Sequence, residues 1–234
     1  MTNDVLTVDL GGGRSTTALP YSARDPRGLL LVLAHGAGAG QRHPFMTGVA
    51  EGLAARGIDV VTFDFPYMHD RRKLPDKAPV LEACFRAVVV TARSVPGHSS
   101  RRLFIGGKSM GGRMATHLAA QALPDLSGVV VFGYPLHPPG RPDRPRVEHL
   151  PSIAAPVLIL QGERDAFGTP DELEGPLATM RAAVTLHAVD KADHSLVVRG
   201  SRRDEVFQSV IAATADWIYA AGAEPADMGA SRRT

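Results

Sequence analysis

A serine flanked by glycines is the strongest chemical signal in this sequence. Gly107-Lys108-Ser109-Met110-Gly111 follows the apolar run Leu103–Ile105 and precedes a stretch with helical periodicity. A strand that turns into a helix at G-x-S-x-G lifts the serine hydroxyl above a sheet and points the next amide into the same space. Glycines flank such a turn because a side chain there would collide with the backbone. The pattern predicts that Ser109 is a nucleophile and that the Met110 amide faces the group it attacks.

Two further residues supply what a serine nucleophile needs, a general base and a carboxylate that orients it. Asp165 follows the apolar run Val157–Leu160, and His194 follows the run Val184–Val189. Loops at the carboxyl ends of parallel strands meet at one edge of a sheet, so both side chains are expected beside Ser109. The order serine, acid, histidine along the chain is the one found in folds with this turn. We therefore predict a triad of Ser109, Asp165 and His194.

Other residues remain alternatives for the acid and the base. Glu163 and Asp193 lie next to the predicted acid and base in the sequence, and either could replace Asp165. His187 lies inside the last apolar run, and His117 lies on the helical stretch after the serine. Both suit a packing or surface role better than the role of a base.

A second glycine-rich stretch, Gly36–Gly40, follows the apolar run Leu29–Ala34. In folds with a serine at a strand-to-helix turn, the loop after this strand donates a second amide to the oxyanion. We predict that the amides of Ala37 and Met110 form this pair, each lowering the barrier by about 3 kcal/mol. A flexible turn without chemistry is the alternative.

Neither glycine-rich stretch matches a phosphate-binding loop. A P-loop that ended in Gly107-Lys108-Ser109 would need its first glycine at Arg102. A dinucleotide loop that began at Gly36 would need its third glycine at Gln41, or at His43 in the shifted frame. The histidines show no H-x-x-x-H or Cys–His spacing, so no metal and no cofactor are expected.

Apolar runs and helical stretches alternate along the chain, which favours an α/β fold with a mostly parallel central sheet flanked by helices. Most of the runs are uninterrupted, as expected for strands that are buried on both faces. The predicted strands are Leu29–Ala34, Ile58–Phe63, Leu103–Ile105, Val129–Phe132, Val157–Leu160 and Val184–Val189. The predicted helices are Pro44–Arg56, Pro79–Arg93, Met110–Leu123, Pro170–Arg181 and Glu205–Ala220.

Two segments interrupt this alternation. Tyr67–Pro79 is predicted to be a polar loop. Tyr134–Pro156 contains seven prolines, which favours an ordered wall or small lid over a regular helix. Residues 1–221 are expected to form one domain, and residues 222–234 a flexible tail.

The composition excludes several classes of protein. The 234 residues are 44% hydrophobic and 21% charged, which excludes a disordered chain or a coiled coil. Lys and Arg total 26 against 24 for Asp and Glu, without a long basic run, so neither nucleic acid nor a membrane is expected as a partner. The single cysteine, Cys84, fits a reducing compartment, and the N-terminus lacks the pattern of a signal peptide. We expect a cytoplasmic monomer or homodimer that acts on a small molecule.

From about Leu29 to the final helix, the sequence resembles the α/β-hydrolase superfamily, and most of all its small dienelactone-hydrolase-like branch, which lacks a large cap domain. Dienelactone hydrolases use a cysteine nucleophile where this chain has Ser109, so the resemblance does not imply their substrate. More narrowly, four segments are similar to an uncharacterised hydrolase-like family with testis-expressed and chromatin-complex relatives. These segments are His35–Gly40, His43–Met46, Phe63–Met68 and Gly133–Gly140.

The resemblance implies a serine hydrolase for a small ester, thioester or related acyl substrate. A noncatalytic binding or scaffold protein is the alternative, because a fold does not determine a function. Basic residues in loops at the predicted carboxyl edge would attract an anionic acyl group if they converge, and otherwise are solvated surface charge. The candidate substrate-binding residues are His35, His43, His69, Lys108, His137 and Arg141, and Arg71–Lys73 add to the same charge.

Overall fold

Eight strands form a sheet in the computed structural model, which describes residues 4–196, 198 and 203–223. The strands are β1 (Leu6–Gly11), β2 (Arg14–Tyr21), β3 (Leu29–Ala34), β4 (Ile58–Phe63), β5 (Arg102–Lys108), β6 (Leu126–Phe132), β7 (Val157–Gly162) and β8 (Val184–Val189). They lie in the order β1-β2-β4-β3-β5-β6-β7-β8. β1 pairs antiparallel with β2, and β2 with β4, whereas every pair from β4 to β8 is parallel.

Helices cover both faces of this sheet, so the predicted α/β fold is confirmed. They are α1 (Pro44–Ala54), α2 (Pro66–His69), α3 (Ala78–Ser94), α4 (Met110–Ala120), α5 (Pro170–Leu177) and α6 (Arg203–Ala221). Alternate residues of a strand point to opposite faces. Leu30 and Val32 of β3 therefore pack in the core with α3 and α4, and Leu31 and Leu33 pack in the other core with α1 and α6. Burial on both faces explains the uninterrupted apolar runs.

The six predicted strands are all present. β3, β4 and β8 have the predicted bounds. The other three are longer than the apolar runs, because backbone pairing continues through residues such as Gly106 and Gly107 of β5. The five predicted helices are present as well, with ends that differ by a few residues.

The hairpin of β1 and β2 is missing from the predicted elements. In β1, Val8 is buried between the polar residues Thr7 and Asp9, and in β2 the buried apolar residues are only Ala18 and Leu19. No uninterrupted apolar run marks such strands. Antiparallel pairing of Ala18 with Phe63 adds the hairpin at the β4 edge of the sheet.

The prediction of a polar loop over Tyr67–Pro79 is wrong at both ends. Pro66–His69 form α2, and α3 begins at Ala78. Pro66, at the first position of α2, favours a helix start because proline has no N–H to leave unpaired. Tyr67 is fully buried, and the polar loop is confined to residues 70–77.

The proline-rich segment Tyr134–Pro156 contains one 3₁₀-helix, Leu150–Ser152, and forms no large cap domain. Its residues Tyr134 and Ile153 are fully buried. The segment is therefore an ordered part of the fold. No helix within the described ranges has the length and the apolar character that crossing a membrane requires. Of the predicted tail, residues 224–234 lie outside the described part of the chain.

Candidate active site

Ser109 lies at a tight turn between β5 and α4. Its backbone has φ 52° and ψ −114°, a left-handed conformation that costs a non-glycine residue of order 1–3 kcal/mol. A Cβ at Gly107 would lie 2.5 Å from the Gly111 carbonyl carbon, and a Cβ at Gly111 would lie 2.5 Å from the Ala34 carbonyl oxygen. The two flanking glycines are thus required by space, and the turn holds the serine side chain above the end of β5.

Three side chains form a hydrogen-bonded chain at the carboxyl edge of the sheet. The distance from Ser109 Oγ to His194 Nε2 is 2.7 Å, and that from His194 Nδ1 to Asp165 Oδ2 is also 2.7 Å. Asp165 accepts the Nδ1 hydrogen, so Nε2 carries a lone pair and accepts from the serine hydroxyl. The histidine side chain is 21% exposed and the aspartate side chain is fully buried. This arrangement can remove a proton from Ser109 and stabilise the resulting imidazolium.

The carboxylate of Asp165 is held from more than one side. Gln161 Nε2 donates to Oδ2 at 2.9 Å, and the Phe167 backbone N–H donates to Oδ1 at 2.8 Å. Together with His194, these donors satisfy both oxygens of a buried charge that would otherwise be costly. The loop after β7 therefore presents a fixed carboxylate to the imidazole.

The two alternative acids lie elsewhere. Glu163 Oε2 accepts from the Lys191 backbone N–H at 3.1 Å. Asp193 Oδ1 accepts from the backbone N–H of Ser195 at 2.9 Å. Each carboxylate thus stabilises a loop, and the structure places only Asp165, of these three, against the imidazole.

His35 supports the loop that carries Ala37. Its ring is buried, Nδ1 donates to the Gly36 carbonyl at 2.7 Å, and Nε2 accepts from the Phe65 N–H at 3.0 Å. Burial lowers the pKa of His35, which keeps the ring neutral and Nε2 free to accept. Because the Gly36–Ala37 peptide is planar and trans, holding its carbonyl on one side directs the Ala37 N–H to the other.

Tyr67 holds the next peptide of the same loop. Its hydroxyl donates to the Ala37 carbonyl at 2.9 Å and approaches the Gly36 carbonyl at 3.4 Å. Burial and the charges of Asp64 and Asp76 raise the pKa of Tyr67 to about 12, so it stays a donor at neutral pH. Pro66 marked only the start of α2 in the sequence, and no sequence signal indicated the role of Tyr67.

A cavity of about 1040 Å³ opens over the serine. Ala37, Ser109, Met110 and His194 all line it. Both residues that were predicted to supply amide donors, Ala37 and Met110, therefore line the same cavity as the nucleophile. In the part of the chain that the structure describes, no group of three or more His, Cys, Asp or Glu side chains is arranged to hold a metal ion.

Of the six candidate substrate-binding residues, two line the cavity, His43 and Lys108. His35 supports the glycine-rich loop instead, and His69 is exposed at the end of α2. His137 is buried, and its Nε2 lies 3.4 Å from Glu172 Oε1. A buried ring nitrogen needs such a hydrogen-bond partner.

The remaining candidate, Arg141, is exposed and pairs with Asp143 at 3.3 Å. In the loop 70–77, Arg72 pairs with Asp76 at 2.8 Å. Arg141 and Arg72 thus each pair with an aspartate of their own loop, and neither lines the cavity over the serine.

The cavity contains residues that the sequence did not single out. They are three arginines, Arg113, Arg146 and Arg164, and three aromatic residues, Phe45, Phe167 and Phe207. Arg113 lies four residues after Ser109 on the same helix, and that spacing was a usable signal. The other residues come from distant segments, which spacing along the sequence does not relate.

Lys108 ties the nucleophile turn to the histidine loop. Its Nζ donates to the Phe132 carbonyl at 3.3 Å and, at close range, to the His194 carbonyl. The ammonium also lies 5.7 Å from the ring centre of Phe45. Burial lowers the pKa of Lys108 to about 8, although Asp165 and Asp193 oppose this shift.

Replacing Lys108 with methionine tests this buried amine through the pH dependence of stability. Because the folded-state pKa lies near 8 and the ordinary value is 10.5, the unfolded chain binds more protons between these values. The free energy of unfolding of the wild type, relative to Lys108→Met, is therefore expected to rise over that window by up to about 3 kcal/mol. Urea unfolding of both proteins from pH 7.5 to pH 10.5 measures it.

Lys191 offers a control, since it is an exposed lysine on the histidine loop that Lys108 contacts and pairs with Asp190 at 3.5 Å. Lys191→Met is expected to show no such rise. If the free energies of unfolding of wild type and Lys108→Met differed by the same amount at every pH from 7.5 to 10.5, the burial of the amine would be contradicted.

Comparison with known proteins adds two findings. A family model described as an alpha/beta hydrolase domain matches residues 27–219. The fold is similar to that of a dienelactone hydrolase from Anabaena variabilis, with a TM-score of 0.74 at 19% identity over 94% of this chain and 97% of that one.

Two further solved structures share the fold. Est1E from Butyrivibrio proteoclasticus, solved with ferulic acid bound, gives a TM-score of 0.75 at 15% identity over 92% of this chain and 98% of that one. A Xanthomonas campestris protein described as an α/β serine hydrolase without a lid gives a TM-score of 0.68 at 18% identity, over 94% of this chain and 93% of that one. At these identities, the likeness concerns the fold.

Proposed function

The chain belongs to the alpha/beta hydrolase family, and we propose that it is a serine hydrolase that cleaves a small ester, thioester or related acyl compound. The observation that carries this proposal is the continuous hydrogen-bonded chain from Ser109 through His194 to Asp165 at the cavity. Structural neighbours described as a dienelactone hydrolase and as an α/β serine hydrolase support the same class of reaction.

The proposed reaction has two halves. Ser109 Oγ attacks the acyl carbon while His194 Nε2 takes its proton, and the amides of Ala37 and Met110 stabilise the oxyanion. The protonated His194 then gives this proton to the departing alcohol or thiol, which leaves an acyl-enzyme. In the second half, His194 removes a proton from water, the hydroxide attacks the acyl carbon, and the proton returns to Ser109 as the acid is released.

Two features favour a hydrolase over a noncatalytic binding protein. The backbone of Ser109 is held in a conformation that L-residues avoid. This strain costs folding free energy, and a scaffold protein would have no need of it. The carboxylate of Asp165 is fully buried and positioned for the imidazole of His194. Such strain and buried charge are typical of active sites.

The cavity supports a small or medium-sized acyl substrate. Its volume of about 1040 Å³ lies at the upper end of the usual range for small-molecule sites. Phe45, Phe167 and Phe207 provide apolar walls. Cytoplasmic location, the monomeric or homodimeric state, the division at residue 221 and the narrower resemblance to the testis-expressed and chromatin-complex relatives stay predictions.

Labelling with a fluorophosphonate tests the proposal, because this reagent forms a stable adduct with an activated serine. Intact-mass analysis of the wild type is expected to show one adduct, and Ser109→Ala none. Ser209→Ala, which removes an exposed serine of α6, is the matched control and is expected to be labelled like the wild type. An unlabelled wild type that is shown to be folded would contradict the proposal and favour a binding role.

A further inference from the structure

None of the three arginines of the cavity wall forms an ion pair with a described carboxylate, and two of the three are half-buried whereas Arg164 is exposed. Arg113 and Arg146 are half-buried and line the same cavity as Ser109. Among the described residues, no carboxylate lies within 4 Å of either guanidinium. By contrast, Arg72 and Arg101 pair directly with aspartates. Half-buried guanidinium groups without a counter-charge are costly, so a pair of them facing a cavity suggests an anionic ligand.

Both arginines are held in place by the backbone. The N–H of Arg113 donates to the Ser109 carbonyl at 3.0 Å, which sets the arginine one helical turn after the nucleophile. The N–H of Arg146 donates to the Leu136 carbonyl at 2.8 Å, and the Arg146 carbonyl accepts from the Tyr134 hydroxyl at 2.5 Å. Arg146 is therefore fixed on both sides of its peptide backbone within the proline-rich segment.

The side chains of the two arginines still have donors to offer. Arg146 Nη1 donates to the Pro135 carbonyl at 3.1 Å, which uses one of its five N–H groups. The guanidinium of Arg113 makes no hydrogen bond within the described part of the chain. Lys108, the other buried cation of the cavity, is occupied by the Phe132 and His194 carbonyls. The arginines are thus the available cationic groups in this half of the site.

The titratable neighbours of the arginine pair within the described residues form no ion pair with it, although the charge of Glu148 acts on Tyr134 together with both arginines. The charge of Arg113, after burial, contributes to lowering the pKa of Arg146. His149, which packs near Arg113, is kept neutral because burial, His117 and Arg113 lower its pKa to about 3.

The carboxylates of the cavity come from other elements. Asp193 lies in the histidine loop, and Asp204 lies in the first turn of α6. α6 packs on one face of the sheet, whereas α4, which carries Arg113, packs on the other. The two carboxylates therefore come from other elements than Arg113 and Arg146, and the exposed Arg164 lies in the loop after β7.

We infer that the substrate carries a carboxylate and that this group binds between Arg113 and Arg146 while its ester or thioester carbonyl lies at Ser109. The inference rests on the proposed hydrolase function and narrows its substrate class to small acidic esters or thioesters. A planar carboxylate can accept two parallel hydrogen bonds from one guanidinium, which a neutral acyl chain cannot.

Matched pairs of esters test this inference. Mono-4-nitrophenyl adipate and 4-nitrophenyl hexanoate differ by a terminal carboxylate on the acyl side, and 4-acetoxybenzoate and its methyl ester differ by one on the leaving-group side. The wild type is expected to prefer the acidic member of at least one pair by about tenfold or more in kcat/KM. The pair that shows the preference identifies the half of the substrate that carries the charge. Equal rates, or preference for the neutral member in both pairs, would overturn the inference.

The arginine variants connect this preference to the site. Arg113→Met and Arg146→Met are each expected to reduce the ratio of acidic to neutral kcat/KM by about tenfold. Arg141→Met is the matched control, because Arg141 lies in the same proline-rich segment but pairs with Asp143 outside the cavity. A ratio that is the same in wild type and Arg113→Met would contradict the inference, and a melting curve for each variant establishes that it is folded.

A binding measurement separates failure of this inference from failure of the proposed function. Adipate, titrated calorimetrically into Ser109→Ala protein, is expected to bind, and 1,6-hexanediol is not. Binding is expected to weaken at least about tenfold when Arg113→Met is added. Should the wild type neither hydrolyse esters nor react with the fluorophosphonate, adipate binding that depends on Arg113 would still support the anion site. Absence of adipate binding would overturn it.

Discussion

Replacing Ser109 with alanine is expected to lower kcat by about 10⁵- to 10⁶-fold for any ester that the wild type hydrolyses. The substitution removes the oxygen that forms the acyl-enzyme, so His194 is left with water as the only group to activate. The fold should survive. Alanine keeps the Cβ that already occupies the φ 52° conformation, and the lost hydrogen bond to His194 lies at the cavity. Steady-state hydrolysis of 4-nitrophenyl esters and a thermal melt measure the two effects.

The control for this experiment is Ser209→Ala. Ser209 is exposed on α6, where its hydroxyl donates to the Val206 carbonyl at 2.8 Å, far along the chain from the nucleophile turn. It is expected to retain wild-type kcat. Residual activity of Ser109→Ala within about a hundredfold of the wild type would show that another group performs the attack.

Asp165→Asn is expected to lower kcat by about 10⁴-fold with little change in the backbone. The carboxylate accepts the Nδ1 hydrogen of His194 at 2.7 Å, which leaves Nε2 as the acceptor for Ser109. An asparagine amide can donate to Nδ1 instead, and then Nε2 carries the hydrogen and no longer accepts from the serine. The loss should appear in kcat more than in KM, since the substrate does not touch this side chain. Steady-state kinetics at pH 7 to 9 measures the split.

Glu163→Gln is the matched control for the carboxylate. Glu163 lies two residues before Asp165, is exposed, and accepts from the Lys191 backbone N–H, a bond that glutamine can also accept. Its kcat is expected to stay close to that of the wild type. If Glu163→Gln lost as much activity as Asp165→Asn, the assignment of Asp165 as the orienting acid would fail.

Much of the fold follows directly from the sequence because the strands are buried on both faces. β3 and β4 begin and end where their apolar runs do, since strands that are buried on both faces are built mostly from apolar residues. β8 also has the predicted bounds, although it lies at the sheet edge and is partly exposed at Thr185 and His187. The half-exposed strands β1 and β2 carry no such run. They owe their place to backbone pairing with β4, and pairing leaves little trace in the residue types.

The sequence by itself also determined where Ser109, Asp165 and His194 must lie. Each follows a parallel strand, and the carboxyl ends of such strands share one edge of the sheet regardless of loop details. The glycines that flank the serine are recognisable in the sequence, although only part of their requirement is local. A Cβ at Gly107 would meet Gly111 within the turn, whereas a Cβ at Gly111 would meet the Ala34 carbonyl of β3.

Only the tertiary structure decided which side chains face one another at that edge. Spacing left Glu163 and Asp193 as alternatives to Asp165, and a hydrogen bond of 2.7 Å to His194 distinguishes them. The sequence also left open whether the basic residues of the loops face the serine. Arg141 pairs with Asp143 outside the cavity, whereas Arg113 and Arg146 line the cavity from a helix and a proline-rich segment. Side-chain direction in loops depends on long-range packing, and a one-dimensional pattern does not contain that information.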